Sequence, residues 1–474
     1  PCSGLQHLLL EACGGVVVAT SANRTTEPLC ADAVADAAVL RALADHVLSH
    51  NLPMLNRIDD SVLRWASGGP LVLRLGRGLA PVALPNPDLL PNGGLAFGAQ
   101  IKGAFALQTS SHRLLSPDLG DLSSVAGAAH HQHTCRQWLQ RHGLALSRLV
   151  CDKHPGYSSS AWAEALAARQ PLPLLQVQHH HAHLLAVMAE HRISGPSLGI
   201  AWDGSGQGDD GTLWGGEALA IHGDGYRRIA HLRPWALPGG ERAQREPRRA
   251  LLGLLLEAYG PAWRDRLTPL PRLAFRQEEL QVLEQSVQRG LNAPSCSSIG
   301  RLFDAVAALL RLAQRCSYEA QAALALEALA LEASEQESRL HAPLELPLQR
   351  PSEMEPWQWN WQPLLEQLLE ALQQHTPAPV LALAFHQALA EAIAALARAE
   401  GCPQLLLAGG CFQNALLLEL TTSALNREGC QALWPQQLPC NDAALPIGQL
   451  LAAETMPINR VAPRAERHVP GCSR

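Results

Sequence analysis

Residues 177–191 read VQHHHAHLLAVMAEH, with four histidines in the five positions 179–183 followed by an apolar run. On a helix, residues four apart stand one above the other, with Cβ atoms roughly 5–6 Å apart. His179 and His183 can therefore grip one metal ion from a single face. A polar helix start with solvated histidines is the plain alternative. Further along, AWDGSGQGDDGTLWGGEAL (201–219) sets Asp203, Asp209 and Asp210 among six glycines, at 204, 206, 208, 211, 215 and 216. Glycines tolerate close backbone approach, so such a loop can cradle an anion on its N–H groups. The competing interpretation is a tight hairpin whose aspartates make Asx turns. Six glycines exceed what a hairpin needs, which favours a functional loop. It matches neither a Walker loop nor a GxGxxG fingerprint, because no helical pattern follows it directly.

Two more stretches carry chemistry. GGCFQN (409–414) follows an apolar strand and opens a helix. Free N–H groups and the positive dipole end suit a phosphate there, the glycines admit an adenosine, and Asn414 can bond a ribose or base. Read alone, it is equally a packing turn. CNDAALPIGQ (440–449) places Asp442 before another helix, where a plain N-cap is the simple alternative. Two neutral imidazoles plus two carboxylates suit Zn²⁺, or Fe²⁺ with more ligands. His179, His183, Asp203 and Asp442 supply that set if the fold brings them together.

The elements that must position these groups alternate along the chain. GVVVA (15–19) reads as a buried strand ending in the polar turn TSANRTTEP, with a helix around 33–50 and a closing strand in PLVLRLGRG (70–78). The Pro-, Gly- and Asn-rich stretch 80–94 reads as a linker. From about residue 95, strand, turn and helix repeat over some 360 residues, which predicts an α/β architecture with helices packed on sheets. LAFGAQIKGAFAL and SLGIAWDG read as strands, and 319–331 and 381–400 as helices. GERAQREPRR (240–249) reads as a solvated loop. The division predicted is 1–82, a linker over 83–95, a large unit over 96–456 and a loose tail over 457–474.

Composition narrows the partners. A net charge of −6 over 474 residues provides no electrostatic footprint for nucleic acid. No apolar run in the sequence reads as a membrane span of about 20 residues. Twelve cysteines include no CxxC pair, arguing against a zinc ribbon or redox dithiol. They read as reduced, mostly buried thiols in the cytoplasm. Lys102 and Lys153 are the only lysines.

Together, VQHHHAH, DGSGQGDDGTLWGGE, LPGGERAQREP, SSIGRLFDAVAALL, SYEAQAA, LAGGCFQN and PCNDAALPIGQ resemble, in that order, the HypF-type carbamoyltransferases. FGAQIKGAFAL, GDL and CDKHPGY upstream resemble that family too. VATSANRTTEP, NRIDDSVLR and LVLRLGRG resemble the C-terminal half of a YrdC-like domain. The resemblance implies a two-lobed Kae-type domain of the actin/hexokinase-like (ASKHA) fold, preceded by a partial YrdC-like α/β domain. It implies enzymes that hydrolyse carbamoyl phosphate, use ATP with Mg²⁺ to form carbamoyl-adenylate, and pass the carbamoyl group to the C-terminal cysteine of a HypE-type partner. That thiocarboxamide is then dehydrated to a thiocyanate, the source of the cyanide ligands of [NiFe]-hydrogenase iron.

The resemblance maps the metal ligands onto His179, His183, Asp203 and Asp442, leaving His180 and His181 out. It sets Gly204 along the phosphate, Gly300 and Asp304 at the ribose, and Gly409, Gly410 and Asn414 facing the adenosine. A remnant of the YrdC-like ATP site falls on Thr20, Ser21, Asn23, Ser61 and Arg74. The acceptor thiolate is the partner's, so no cysteine of this chain serves as nucleophile, and Cys411 is expected to be a buried filler. Regions that would hold an acylphosphatase-like domain, zinc fingers and the first YrdC-like half are not in the sequence. The expectation is that this polypeptide does not make carbamoyl-adenylate unaided. Ala443, Ala444, Pro446 and Glu241 depart from the usual family residues. Alternatives are an O-carbamoyltransferase for a small hydroxylated acceptor, a tRNA threonylcarbamoyl-transferase, disfavoured by the acidic charge, and a truncated non-catalytic remnant.

Overall fold

The computed structural model describes residues 3–86, 92–223, 225–267, 273–336, 340 and 342–455. The expected tail, 457–474, and residues 87–91 of the expected linker lie outside the described residues; the linker's flanks are not loop but the strands Val82–Pro85 and Gly94–Ala96.

Two mixed sheets dominate. A six-stranded sheet runs in the order Val82–Pro85, His112–Leu115, Ala106–Gln108, Gly94–Ala96, Arg148–Asp152, Leu174–Val177. The second, nine-stranded, has Ser197–Gln207 at its heart, antiparallel to Leu213–His222 and parallel to Gln404–Ala408. Strand, helix and parallel strand connections bury apolar runs on both faces, as in Leu405–Ala408 and Ile200–Trp202. This is the α/β architecture that the alternation predicts.

Between the sheets lie the helices His179–His191 and Leu445–Thr455. They pack so closely that a Cβ on Gly448 would stand 1.8 Å from the Ala182 carbonyl oxygen. Only a glycine lets the two backbones meet there. The predicted helix over 381–400 is Ala378–Glu400, and that over 319–331 is Gln321–Glu335. Ala378–Glu400 is long and apolar enough to cross a membrane by length and composition, but 78% of its most apolar window is buried inside the protein. The sequence reading found no such run; here the apolar helix serves the core.

The first sixty residues differ from the sequence reading. Residues 15–19 form no strand, and Val16 and Val18 are 87% and 100% exposed. A strand needs ladder partners, and the only sheet in this region is the hairpin Val62–Ala66 with Gly69–Arg74. None of residues 3–65 is buried. The helix expected over 33–50 shrinks to Ala37–Leu43. Asp32 and Asp36 accept backbone N–H groups of residues 31–35, holding that stretch in a turn. The hairpin itself is anchored: Arg64 pairs with the buried Glu327, and Ser67 Oγ lies 2.9 Å from Thr422 Oγ1.

The segment 240–249 is solvated only in its first part: Glu241, Arg242, Gln244 and Arg245 are exposed, while Pro247, Arg248 and Arg249 are buried. Gly240–Gln244 is a 3₁₀ turn, and Pro247 opens the helix Pro247–Tyr259. Arg248 and Arg249 are buried, both paired with Glu246 and Glu279. Balanced charge lets these two arginines go inside.

Candidate functional site

The helix His179–His191 starts beneath Gln178, whose side-chain oxygen accepts the His181 N–H. All four histidines are buried, which excludes the solvated interpretation. His179 and His183 stand one turn apart, edge to face, with ring centroids 4.9 Å apart. Asp203 comes from the strand Ser197–Gln207, and Asp442 from a 3₁₀ turn, Asp442–Ala444, capped by Asn441. The structure brings the four together, with one ligand atom of each within 4.8 Å of every other.

The spacing is informative. His179 Nε2 lies 3.3 Å from Asp203 Oδ2 and 3.6 Å from Asp442 Oδ1. His183 Nε2 lies 3.8 and 3.4 Å from the same two oxygens. Tetrahedral ligands about 2.0–2.1 Å from a zinc ion sit about 3.4 Å apart. The buried His183 Nε2 has no hydrogen-bond partner among the described residues. An unsatisfied lone pair aimed between two carboxylates fits a cation there.

Electrostatics agree. Burial resists charging His179, yet the Asp442 and Asp152 carboxylates raise its proton affinity well above the ordinary value. Burial also works against ionised Asp203, but the hydrogen bond from His179 and the charge of His183 bring it down to about 2. Asp442 is held well below the usual carboxylate range, burial being outweighed by His179 and His183. The two carboxylates call for positive charge between them.

His180 and His181 face elsewhere. His180 Nδ1 is 2.9 Å from the Gln178 amide nitrogen, and burial keeps the ring neutral. His181 packs beside Tyr226, and burial lowers its pKa to about 4.

One residue escaped the sequence reading. Asp152 ends the strand Arg148–Asp152, and its Oδ2 lies 2.8 Å from His179 Nδ1. That bond puts the proton on Nδ1 and turns the Nε2 lone pair toward the carboxylates. Its signal was the aspartate of CDKHPGY, given no role there.

The glycine-rich run is a β-hairpin, with Asp203 inside the strand Ser197–Gln207 and the return strand beginning at Leu213. Asp210 makes the Asx contact, its Oδ1 accepting from the Thr212 N–H at 3.0 Å. The extra glycines make room for rings. A Cβ on Gly206 would stand 2.7 Å from His180 Cε1, and one on Gly208 2.1 Å from Trp214 Nε1. Two of the six glycines, Gly206 and Gly208, thus record aromatic packing around a hairpin, while Gly211 takes a positive φ of +78° at its turn.

Gly204 and Gly300 lie back to back, a Cβ on Gly300 falling 2.7 Å from the Gly204 Cα. Asp304 is buried beside Arg301, 2.8 Å away, and burial raises its pKa to about 6 against that arginine. Gly409 has φ +97°, and a Cβ would meet the Trp202 carbonyl oxygen at 2.3 Å. Gly410 N–H donates to Asp203 Oδ1 at 3.0 Å, tying this turn to the ligand cluster. Asn414 is already engaged: its Oδ1 caps the helix Ala415–Arg427 through Leu417 N–H, and its Nδ2 donates to His386 Nε2. Cys411 is half-buried, and desolvation pushes its thiol well up, away from a nucleophile's range.

Thr20, Ser21 and Asn23 are not brought into bonding contact with Ser61 or Arg74 among the described residues. Asn23 Nδ2 donates to the Arg24 and Glu27 carbonyls. Ser61 Oγ donates to the Arg77 carbonyl, and Arg74 Nε to the Asp60 carbonyl. Lys102 Nζ meets Glu319, just before the helix Gln321–Glu335, at 2.6 Å, and Lys153 Nζ meets Asp209 of the glycine-rich hairpin at 2.7 Å.

Comparisons with known proteins follow this geometry. Residues 199–449 match the family model described as carbamoyltransferase, Kae1-like domain, second subdomain. Residues 91–190 match the HypF Kae1-like domain, and 1–76 the Sua5, yciO and yrdC model described as telomere recombination. Carbamoyltransferase HypF of Synechocystis is 36% identical over 94% of this chain and 58% of its own length. That of Rhodobacter capsulatus is 37% identical over 96% of this chain and 59% of its own length. The chain thus spans rather over half the length of these relatives. A carbamoyltransferase HypF homolog of Cupriavidus necator is 36% identical, with 78% of this chain covering 93% of it. The crystal structure of a full-length HypF in the phosphate- and nucleotide-bound form superposes with a TM-score of 0.85 at 29% identity, covering 96% of this chain and 69% of that one. The chain belongs to the HypF family of carbamoyltransferases.

Proposed function

We propose that this chain transfers a carbamoyl group from carbamoyl-adenylate to the C-terminal cysteine thiolate of a HypE-type protein, as a step toward the cyanide ligands of [NiFe]-hydrogenase. The observation that carries the proposal is the convergence of His179, His183, Asp203 and Asp442 on one point. Those four would hold a divalent cation, zinc or iron. When bound, it supplies fixed positive charge that anchors the adenylate phosphate and offsets the charge of departing AMP.

The chain's own residues do the remaining work. Asp152 holds His179 in one tautomer. Gly410 N–H fixes Asp203 Oδ1, leaving Oδ2 for the centre. The turn at Gly409 and Gly410, with Gly204, Gly300 and Asp304, walls the nucleotide cleft; Asn414 shapes it as a helix cap. The partner's thiolate attacks the carbonyl carbon, a C–S bond forms, the C–O bond to phosphate breaks, and AMP leaves with the electron pair. No nucleophile is needed from the protein. Carbamoyl phosphate, ATP and Mg²⁺ belong to the preceding adenylation, which the complete enzyme performs. A cytoplasmic setting suits the ten described cysteines, all free thiols.

The test supplies pure chain with carbamoyl-adenylate and a peptide ending in cysteine. Mass spectrometry should find one carbamoyl group on the peptide sulfur. A carbamoyl group on a hydroxylated acceptor or on tRNA instead would reassign the acceptor. Failure with every acceptor, with AMP and metal unbound, would reduce the chain to a remnant.

A further inference from the structure

A hydrogen-bonded path runs from the hairpin Val62–Ala66/Gly69–Arg74, in the region matched by the YrdC-like family model, into the cation cluster. Asn441, 2% exposed, donates its Nδ2 to the Leu73 carbonyl at 2.9 Å and to Gln413 Oε1 at 2.8 Å. Its Oδ1 accepts the Ala443 N–H at 3.1 Å, which sets the turn carrying Asp442. Gln413 Nε2 donates to the Gly410 carbonyl at 3.3 Å, and Gly410 N–H donates to Asp203 Oδ1 at 3.0 Å. Both carboxylates of the cluster are thus held, through Asn441 and Gln413, by a strand of the preceding unit.

Arg64 fastens the same hairpin at a second point. Its Nη1 lies 2.9 Å from Glu327 Oε1 and reaches toward the Gln413 carbonyl at 3.5 Å. The buried Glu327 Oε1 also accepts the Ala415 and Leu416 N–H groups, at the first turn of the helix that follows the GGCFQN segment. A buried amide that loses an acceptor costs about 1–3 kcal/mol. Undocking the hairpin would therefore leave one N–H of the Asn441 amide unpaired and let the Asp442 turn and the Gly409–Asn414 segment relax together.

We infer that the hairpin is part of the second unit's site, with Gln413 and Arg64 as positioning residues that set the two carboxylates for the cation. Docking of the first unit then tunes cation affinity in the second, so events in the first unit are felt at the transfer site. This rests on the cation site proposed above.

The experiment titrates the full chain with Co²⁺, following its visible ligand-field absorption, in wild type, Arg64→Ala, Arg64→Lys, Gln413→Ala and the double variant Arg64→Ala/Gln413→Ala. Circular dichroism confirms that each is folded. Arg64→Ala should weaken Co²⁺ roughly three- to tenfold, as residues remote from a ligand do when coupled to it, and shift the absorption. Arg64→Lys should recover part of the loss, and if Arg64→Ala fails to fold it carries the comparison alone. The double variant should lose less than the product of the two single losses. Wild-type affinity in the single variants, or losses that simply multiply, would overturn the coupling and leave the cation site standing. A wild-type chain that binds no Co²⁺, Zn²⁺ or Fe²⁺ would overturn the cation site itself.

Discussion

Asp152 Oδ2 and His179 Nδ1 stand 2.8 Å apart, both fully buried, at the end of one strand and the start of one helix. A carboxylate in that position commits the imidazole to present Nε2 to Asp203 and Asp442. Asp152→Asn keeps the shape and removes the charge. It should weaken Zn²⁺ about 10–100-fold, measured by competition with a chromogenic chelator. Unchanged affinity would strip Asp152 of this part.

His183 Nε2 is buried without a hydrogen-bond partner among the described residues. A ligand at a hundred times its dissociation constant adds about 2.7 kcal/mol to folding stability. Zn²⁺ at that excess should raise the urea midpoint of the wild-type chain and leave that of His183→Ala where it was. An equal rise in both would place the metal elsewhere.

His386 links pH to the segment carrying Asn414. Its Nδ1 donates to the Ala382 carbonyl, and its Nε2 accepts from Asn414, which requires the neutral ring. Burial lowers its pKa to about 4, opposed by the Ala382 carbonyl. Below about pH 6.5 the unfolded chain takes up a proton that the folded chain refuses, so stability falls as pH drops from 6.5 toward 4. The full loss approaches about 3 kcal/mol. In His386→Gln, urea midpoints should start lower at pH 7 and decline less over that window. Parallel pH curves would show that the ring titrates normally.

Gly448 tests the contact between the two central helices. An added methyl lands on the Ala182 carbonyl oxygen, and relief must come from moving backbone. Gly448→Ala should cost about 1–3 kcal/mol in chemical denaturation. Because Leu445–Thr455 follows directly on Asp442, metal affinity should drop as well. A neutral substitution would mean that the helices slide apart freely.

Composition made the helices Ala378–Glu400 and Gln321–Glu335 legible, because both are runs of strong helix formers, chiefly Ala, Leu and Glu. The spacing of His179 and His183 pointed to one face, and the structure puts them there. Their meeting with Asp442 depends on two helices crossing at Gly448, which no local pattern encodes. The stretch 197–222 is a hairpin that also carries Asp203 of the cluster. Its backbone form was hard to foresee because glycine has two uses, conformational freedom and the absence of a side chain, which composition does not separate. GVVVA has a strand's composition and lacks a neighbouring strand to pair with. Asp152 was hidden because a lone aspartate at a strand end gains meaning only from what stands opposite.

The two ε-amines of the sequence, Lys102 and Lys153, each pair with a carboxylate distant in the chain, Glu319 and Asp209. Acylation of ε-amines within this sequence is consequently a two-site experiment. A reagent that labels either position reports that its ion pair has opened, and protection by an added nucleotide reports that the pair is held closed. Scarcity of lysine makes this chain its own conformational probe.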